Sequence, residues 1–552
     1  MLRHKCICLS FIASMLALLL TFSGVCTALT LDPIGAYPDS PIADWFDEGS
    51  AETVDYDPVS RTIVITNRYT QSVHVVDITN PSEPTKVMEI DVSAYGREPT
   101  TLDIHNGMLA VSVPADVVTD NGVVLLTPVD SIGVMAPVVI EVGALPDAVK
   151  FTPDGRHLIV LNEGEPNNQY TVDPEGSVSI INLKSLHVRT ATFKRFNRME
   201  RLLKAQGVRI FGPNATVAQD LEPENLTISE DSNTAWVTLQ ENNALAVVDI
   251  RHARVNRVIP LGYKAHWLAG NELDASDKDR EINIQNWPVL GMYQPDGIAS
   301  FRAWHRTWLV TANEGDARDY VYTVETGEVD EDGQPIEEDV VTFSEEARVK
   351  DLLLPDIYNE YWPDIQENEN LGRLSITTSP PFGKVLTDEG VDMYTQIYAF
   401  GGRSFSIRDT RGQMVFDSGA DFERITADLL PDFFNANNDE NKAEKRSDDK
   451  GPEPEGVTVG QIDDAIYAFI SLERIGGVMV YDVSTPWHPV FVTYANNRYF
   501  DGDPEDGEAG DLAPEGMAFI SADDSPNGMP LLITANEVSG NVTIFQIDPM
   551  ND

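Results

Sequence analysis

Short apolar runs alternate with polar turns along this chain, and five of the turns share a proline followed by an acid. The turns begin at Pro146, Pro223, Pro295, Pro454 and Pro514. After each turn come a β-rich run, a polar break and a second apolar run. A further acid then follows in register, at Glu163, Glu241, Glu314, Glu473 and Glu537. A repeated unit of about four short strands predicts the blades of a propeller.

Two weaker copies of this unit precede the five, beginning near Glu52 and Pro99. The unit that opens at Asp296 is interrupted by a long insertion and resumes at Gly401, where the sequence again follows the repeat. The last unit lacks a fourth strand, which residues 29–37 can supply, so that no sheet edge is left exposed. We therefore predict an all-β fold, a seven-bladed β-propeller with long loop insertions on one face.

The non-repeated segments fall in the loops that share a face with the repeated acids. Within one propeller domain spanning 29–552, the insertions lie near 184–221, 265–294, 319–396 and 418–453, with a shorter one at 498–513. Loops elaborated over a rigid scaffold commonly carry function, so we predict one acidic, loop-walled pocket over the central channel. Residues 196–206 predict a packed surface helix ending at Gly207. The polar stretch 435–449 predicts a solvated, mobile loop.

The N-terminal residues 1–28 combine a basic start, an apolar run and small residues before a cleavage point after Ala28, as in a secretory signal peptide. A retained anchor is the alternative, but the apolar run is shorter than the roughly 20 residues that a spanning helix needs. All three cysteines lie in this segment. We therefore expect a secreted protein, extracellular or periplasmic, with no stable membrane anchor and no disulfide.

The formal net charge of −50 is extreme for a folded protein. It excludes nucleic acid as a partner, because phosphates would be repelled. It fits either a soluble protein of a salty exterior or one that holds several divalent cations. We expect a monomer whose partners are divalent cations or a small-molecule phosphate ester.

The repeated acids allow two interpretations. They can accept hydrogen bonds from a neighbouring blade, or they can converge on calcium, which takes several carboxylate and carbonyl oxygens at once. The second interpretation predicts six metal ligands: Asp296, Glu314, Asp316, Glu455, Glu473 and Glu515.

Signatures of a protein nucleophile are missing from the sequence. It contains no Gly-x-Ser-x-Gly turn, and its histidines show no metal-ligand spacing. Arg318 and Arg403 are rare cations beside acids, and each is either an ion-pair partner or a phosphate ligand. For an enzyme, we predict Glu314, Arg318 and Arg403 as the catalytic residues, with a metal-activated water as the nucleophile.

Several motifs together resemble the choice-of-anchor I family over nearly the whole mature chain. They lie at 211–213, 218–224, 273–277, 286–293, 311–320, 401–407, 446–456 and 510–516. The family includes secreted or surface bacterial proteins, an atypical large alkaline phosphatase and mesenchyme-specific glycoproteins associated with biomineralisation. The resemblance implies a calcium-rich extracellular propeller that hydrolyses phosphate esters. The alternative is a non-catalytic calcium-binding surface, matrix or adhesion protein.

Overall fold

The computed structural model describes residues 29–133, 135–329 and 335–549. Within these residues the chain forms seven four-stranded antiparallel sheets, which we number in chain order. The fold is all-β and propeller-like. The predicted signal peptide, 1–28, lies outside the described residues. No helix in the described part of the chain has the length and apolar character needed to cross a membrane.

In each sheet the strands pair with one another in the order in which they are named below. Sheet 1 contains Val54–Asp57, Thr62–Asn67, Ser72–Asp77 and Thr85–Asp91. Sheet 2 contains Leu102–His105, Met108–Val113, Asn121–Pro128 and Val138–Ala144. Sheet 3 contains Pro146–Phe151, His157–Asn162, Ser177–Asn182 and His187–Thr192. Sheet 4 contains Leu226–Ile228, Thr234–Leu239, Ala244–Asp249 and Arg254–Pro260. Sheet 5 contains Ile298–Ala303, Arg306–Asn313, Ser404–Asp409 and Met414–Asp417. Sheet 6 contains Pro454–Ile462, Ala465–Leu472, Val478–Asp482 and Val490–Ala495. Sheet 7 contains Pro514–Ile520, Leu531–Asn536, Asn541–Pro549 and, at its outer edge, Leu29–Tyr37.

Two unusual strand pairings predicted from the sequence are confirmed. The N-terminal strand Leu29–Tyr37 pairs antiparallel with Asn541–Pro549 and so completes sheet 7. In sheet 5, Arg306–Asn313 pairs with Ser404–Asp409 across the long insertion. The insertion therefore interrupts the sequence of the repeat without interrupting its sheet.

The insertions are more ordered than loops alone. Parts of them form a five-stranded sheet from Tyr263–Ala265, Val289–Met292, Glu346–Arg348, Ser375–Thr377 and Ile397–Ala399. This sheet has its own apolar core, which includes Trp287, Leu371 and Ile376. Two hairpins accompany it: Asp319–Val329 with Pro335–Ser344, and Lys384–Leu386 with Asp392–Tyr394.

Helices are short and lie in the connections. The α-helices are Glu200–Gln206, Val217–Asp220, Ile357–Tyr361 and Asp421–Leu429. The 3₁₀ helices are Ala43–Trp45, Val129–Ser131, Lys194–Met199, Val349–Asp351 and Pro431–Phe433. The helix predicted over 196–206 is confirmed as a 3₁₀ turn that continues into an α-helix ending at Gly207.

The prediction of a mobile loop over 435–449 is wrong. Asn435, Ser447 and Asp448 are buried. The backbone carbonyls of Ser447 and Asp449 accept hydrogen bonds from the buried guanidinium of Arg403. A polar segment is packed here because it satisfies a buried cation, which apolar residues could not do.

The first strands of all seven sheets line one shared cavity of about 380 Å³. Glycine in the repeated turn lets neighbouring sheets approach at this cavity. The amide of Gly297 donates to the carbonyl of Glu455, and the amide of Gly516 donates to the carbonyl of Glu52. A Cβ atom at Gly456 would lie 2.2 Å from the carbonyl oxygen of Glu515, so this position requires glycine. These contacts join the turns of successive sheets around the cavity.

Candidate metal-binding site

The repeated turn places one acid of nearly every sheet at the cavity. In sheets 6 and 7 the residue before the proline has positive φ, 50° at Glu453 and 55° at Ala513. The strand register then shifts between Pro454 and Val457, which is a β-bulge that redirects the side chains between them. The acids at the equivalent position of six sheets form what we call the carboxylate ring: Glu52, Asp147, Glu224, Asp296, Glu455 and Glu515.

Apart from Glu52, which lies 3.5 Å from Arg68, the ring carboxylates have no hydrogen-bond or ion-pair partner among the described residues, because the backbone makes the contacts between sheets. Asp296, Glu455 and Glu515 form no side-chain hydrogen bond or ion pair with any residue that the structure describes. Oε2 of Glu455 is buried without a partner in the same part of the chain. The structural interpretation of the repeated acids therefore applies to their carbonyl oxygens and leaves the carboxylate oxygens available.

Burial and mutual repulsion raise the pKa values of these acids. Burial raises the pKa of Asp296, and the charges of Glu314 and Asp147 raise it further. The pKa of Glu455 is raised by burial and then by Glu314 and Asp296. Burial likewise raises the pKa of Glu515, with added repulsion from Glu537 and Glu52. Each carboxylate is thus harder to ionise without a compensating cation.

A second tier contains Glu314 and Glu473, which follow second strands, and Glu453, which precedes the first strand of sheet 6. Carboxylate oxygens of Glu314, Glu453 and Glu473 lie within 4.8 Å of one another. Lys450 and Arg474 already balance part of this charge. Lys450 contacts Glu314 and lies 3.0 Å from Glu453, while Arg474 lies 3.2 Å from Glu453 and 3.1 Å from Glu473. This tier is therefore better compensated than the ring, although burial raises the pKa of Glu473 to about 8.

Charge interactions connect the six ligands predicted from the sequence. Asp316 completes the set, and burial followed by the charges of Glu314 and Glu241 raises its pKa to about 7, against the opposing effect of Lys450. Among the six, Glu314 and Glu473 have cationic partners, whereas Asp296, Glu455 and Glu515 belong to the carboxylate ring. The predicted residues thus lie at one site in two electrostatic environments.

Arg318 is buried in an ion-pair network beside this site. Its guanidinium contacts the carboxylates of Asp220 and Glu222 and donates to the carbonyl of Asp220 at 3.0 Å. It also lies 4.8 Å from the ring centroid of Phe211, and the guanidinium of Arg209 lies 4.1 Å from the same centroid. These contacts favour a structural role for Arg318.

Arg403 is equally committed to contacts within the fold. Its Nη1 donates to the carbonyl of Asp274 and to Oε1 of Glu423, both at 2.6 Å. Its side chain is about 4% exposed, and its Nη2 donates to two more carbonyls. The catalytic roles of Arg318 and Arg403 stay predictions, and neither guanidinium is free to receive a phosphate.

The choice-of-anchor I domain model matches residues 52–486, which cover all or part of every sheet except sheet 7. The chain belongs to the choice-of-anchor I family. It is 29% identical over 203 residues to gigasin-3a of Magallana gigas, covering 34% of this chain and 67% of that protein. It is also 29% identical over 292 residues to a mesenchyme-specific cell surface glycoprotein of Strongylocentrotus purpuratus, covering 50% of this chain. The match spans 36% of that glycoprotein's length.

Solved structures give only distant similarities to this choice-of-anchor I protein. Hydrazine synthase of Kuenenia stuttgartiensis aligns at a TM-score of 0.42 and 13% identity, over 91% of this chain and 96% of the other. The WD40 domain of Toxoplasma gondii coronin aligns at 0.42 and 10% identity, over 96% and 88% respectively.

One cation in this choice-of-anchor I protein was not predicted from the sequence. Arg68 follows Asn67 at the end of the second strand of sheet 1, where sheets 3, 5 and 7 have asparagine followed by glutamate. Its side chain is 39% exposed and lies 3.5 Å from Glu52 and 3.9 Å from Glu98. It lines a cavity of about 530 Å³ that also contains Glu537. Alignment of the repeats would have identified Arg68 as the exception among the register acids.

Proposed function

We propose that this protein is a secreted calcium-binding protein in which the seven sheets close into a seven-bladed β-propeller. The shared cavity would be the central channel, and the carboxylate ring at its mouth would hold at least one calcium ion. The relative from Strongylocentrotus purpuratus is named a cell surface glycoprotein, which supports a location outside the cell.

The unpaired state of three ring carboxylates is the observation that carries this proposal. Asp296, Glu455 and Glu515 come from three successive sheets, and Glu455 Oε2 is buried without a partner among the described residues. An isolated buried carboxylate is costly, and several together are costlier still. Calcium removes this cost, because it prefers six to eight oxygen ligands and accepts carboxylates, carbonyls and water.

Replacing Glu455 with glutamine is expected to weaken calcium binding by about tenfold or more, a loss of about 1.4 kcal/mol. Glutamine keeps the size of the side chain and removes its charge. The dissociation constant can be measured by calorimetric titration of chelator-treated protein at pH 8. The matched control is Glu389→Gln, which removes the charge of an exposed acid in the insertion. Equal affinities for both variants and the parent would contradict the assignment of Glu455.

A phosphoesterase activity beside the carboxylate ring is the further part of the proposal, supported by the position of Arg68 next to Glu52. A phosphate ester needs a cation that is accessible to solvent, and Arg68 is 39% exposed with only long ion pairs. Its planar guanidinium suits two phosphate oxygens. Bound calcium would supply charge neutralisation and activation of a water molecule.

Turnover of phosphomonoesters, phosphodiesters or phytate is expected in calcium and is expected to stop in chelator. We expect Arg68→Gln to lower kcat/KM by about tenfold to a hundredfold, because a charged contact to the reacting group is lost. Arg97→Gln is the matched control, since Arg97 is an exposed arginine that pairs with Glu98 nearby. If the folded, calcium-loaded protein hydrolyses none of these esters, the better function is a non-catalytic calcium-binding surface, matrix or adhesion protein.

A further inference from the structure

Two interacting carboxylates of sheet 4 are not among the six predicted ligands. Glu224 begins the sheet, and Glu241 follows its second strand. Each has its Oε2 atom buried without a hydrogen-bond partner among the described residues. Glu241 is 5% exposed. Burial raises the pKa of Glu224, and the charges of Glu241, Glu163 and Asp296 add to the effect.

The basic groups around this pair are already engaged. Arg318 is the nearby arginine, but its guanidinium is held by the carboxylates of Asp220 and Glu222. Arg209 donates to the carbonyl of Glu241 and pairs its remaining terminal nitrogen with Glu345 and Thr377, so it leaves the Glu241 carboxylate unpaired. The side-chain amide of Gln240, next to Glu241, donates a hydrogen bond to Oε2 of Glu314.

Additional oxygen groups surround the pair. Glu163, at the end of the second strand of sheet 3, has its pKa raised by burial and by the charges of Glu165 and Glu241, among others. Tyr320, from the hairpin over the site, is 6% exposed, and its hydroxyl oxygen is buried without a partner in the described part of the chain. The cluster therefore combines several negative charges with two buried residues, Glu241 and Tyr320, that have unsatisfied oxygens.

We propose that Glu224 and Glu241 bind a second divalent cation that is distinct from the ion held by Asp296, Glu455 and Glu515. A hard cation such as calcium fits, because the available groups are oxygens and calcium completes its coordination with water. The two sites would lie at different sheets, one at sheet 4 and the other at sheets 5 to 7.

Metal counting on charge-removing variants tests this site separately from the proposed function. The full-length mature protein is loaded with calcium, freed of excess metal and counted by elemental analysis. We expect Glu241→Gln to hold one ion fewer per chain than the parent, and Glu455→Gln to lose a different ion. The double variant should then lose two. Glu224→Gln provides a second test if Glu241→Gln fails to fold, as judged by circular dichroism.

The outcomes separate the two proposals. If Glu241→Gln and Glu224→Gln both keep the metal content of the parent while Glu455→Gln loses an ion, the second site is overturned and the first stands. The same result would indicate that Glu224 and Glu241 share a proton. If Glu241→Gln loses an ion and Glu455→Gln does not, the second site stands and the assignment of Glu455 fails.

Discussion

Removing calcium with excess chelator is expected to lower the apparent melting temperature at pH 8 by several degrees. Each site filled at a hundred times its dissociation constant stabilises the folded state by about 2.7 kcal/mol. Removing the ions also restores repulsion among Asp296, Glu455 and Glu515. Thermal unfolding followed by circular dichroism at one fixed scan rate measures the shift. Chelator already saturated with calcium is the control, and superimposable curves in both solutions would contradict the prediction.

The size of this calcium effect is expected to increase with pH. Burial and the charges of Glu537 and Asp147 raise the pKa of Glu52 to about 8, from an ordinary value of 4.5. Between these values the folded, metal-free protein keeps a proton that the unfolded chain has released, so raising the pH favours unfolding. Protons also compete with calcium for the same oxygens. The melting temperature in chelator should therefore fall from pH 5 to pH 8, and calcium should restore more stability at pH 8.

Equal calcium effects at the two pH values would contradict this account of the acids. The comparison needs one buffer system at constant ionic strength, because exposed charges are screened by salt. Glu455→Gln should show a smaller calcium effect and a higher melting temperature in chelator than the parent, since it removes one of the repelling charges.

Replacing Arg318 with alanine is expected to reduce the free energy of unfolding by about 3–5 kcal/mol. The substitution leaves the carboxylates of Asp220 and Glu222 buried without their cation. It also removes the contact with the ring of Phe211. Denaturant unfolding in excess calcium measures the change. Arg318→Lys should recover only part of it, because lysine cannot pair with two carboxylates through a planar fork.

Arg302→Ala is the control for the Arg318 variants. Arg302 pairs with Glu230 on the surface, where the two side chains are 56% and 68% exposed, so its loss should cost about 0–1 kcal/mol. If Arg318→Ala is as stable as Arg302→Ala, the buried network does not stabilise the fold. A stable Arg318→Ala variant that lost only phosphoesterase turnover would instead support the catalytic role predicted from the sequence.

The sheets could be predicted because their signal repeats. Five turns share a proline followed by an acid, and a further acid follows each of their second apolar runs, so weak local patterns reinforce one another. For this reason the two halves of the interrupted sheet 5 could be assigned to one sheet from the sequence. The insertion sheet has no repeat, and its strands at 263–265, 346–348 and 397–399 are three residues long. Periodicity cannot distinguish such short strands from loop.

The sequence indicates which acids could belong to the candidate site, but it does not indicate which of them have cationic partners. Sequence identified Asp296, Glu455 and Glu515, but it could not show that Lys450 and Arg474 balance Glu314 and Glu473. Lys450 and Glu314 are far apart in sequence, and the neighbouring positions of Arg474 and Glu473 do not by themselves show that their side chains pair. The same limit applies to Arg403, whose partners include Asp274 and Asp449 from separate insertions. Which charges remain unpaired depends on tertiary contacts.

An anomalous-scattering difference map from a crystal of the calcium-loaded protein would locate the bound ions. We expect a peak at the mouth of the shared cavity with carboxylate oxygens of Asp296, Glu455 and Glu515 at calcium-ligand distances of about 2.3–2.6 Å. In crystals of Glu455→Gln this peak should weaken or vanish. A map with no peak at the carboxylate ring, or with calcium only on exposed surface acids, would contradict the claim that the ring is a calcium site.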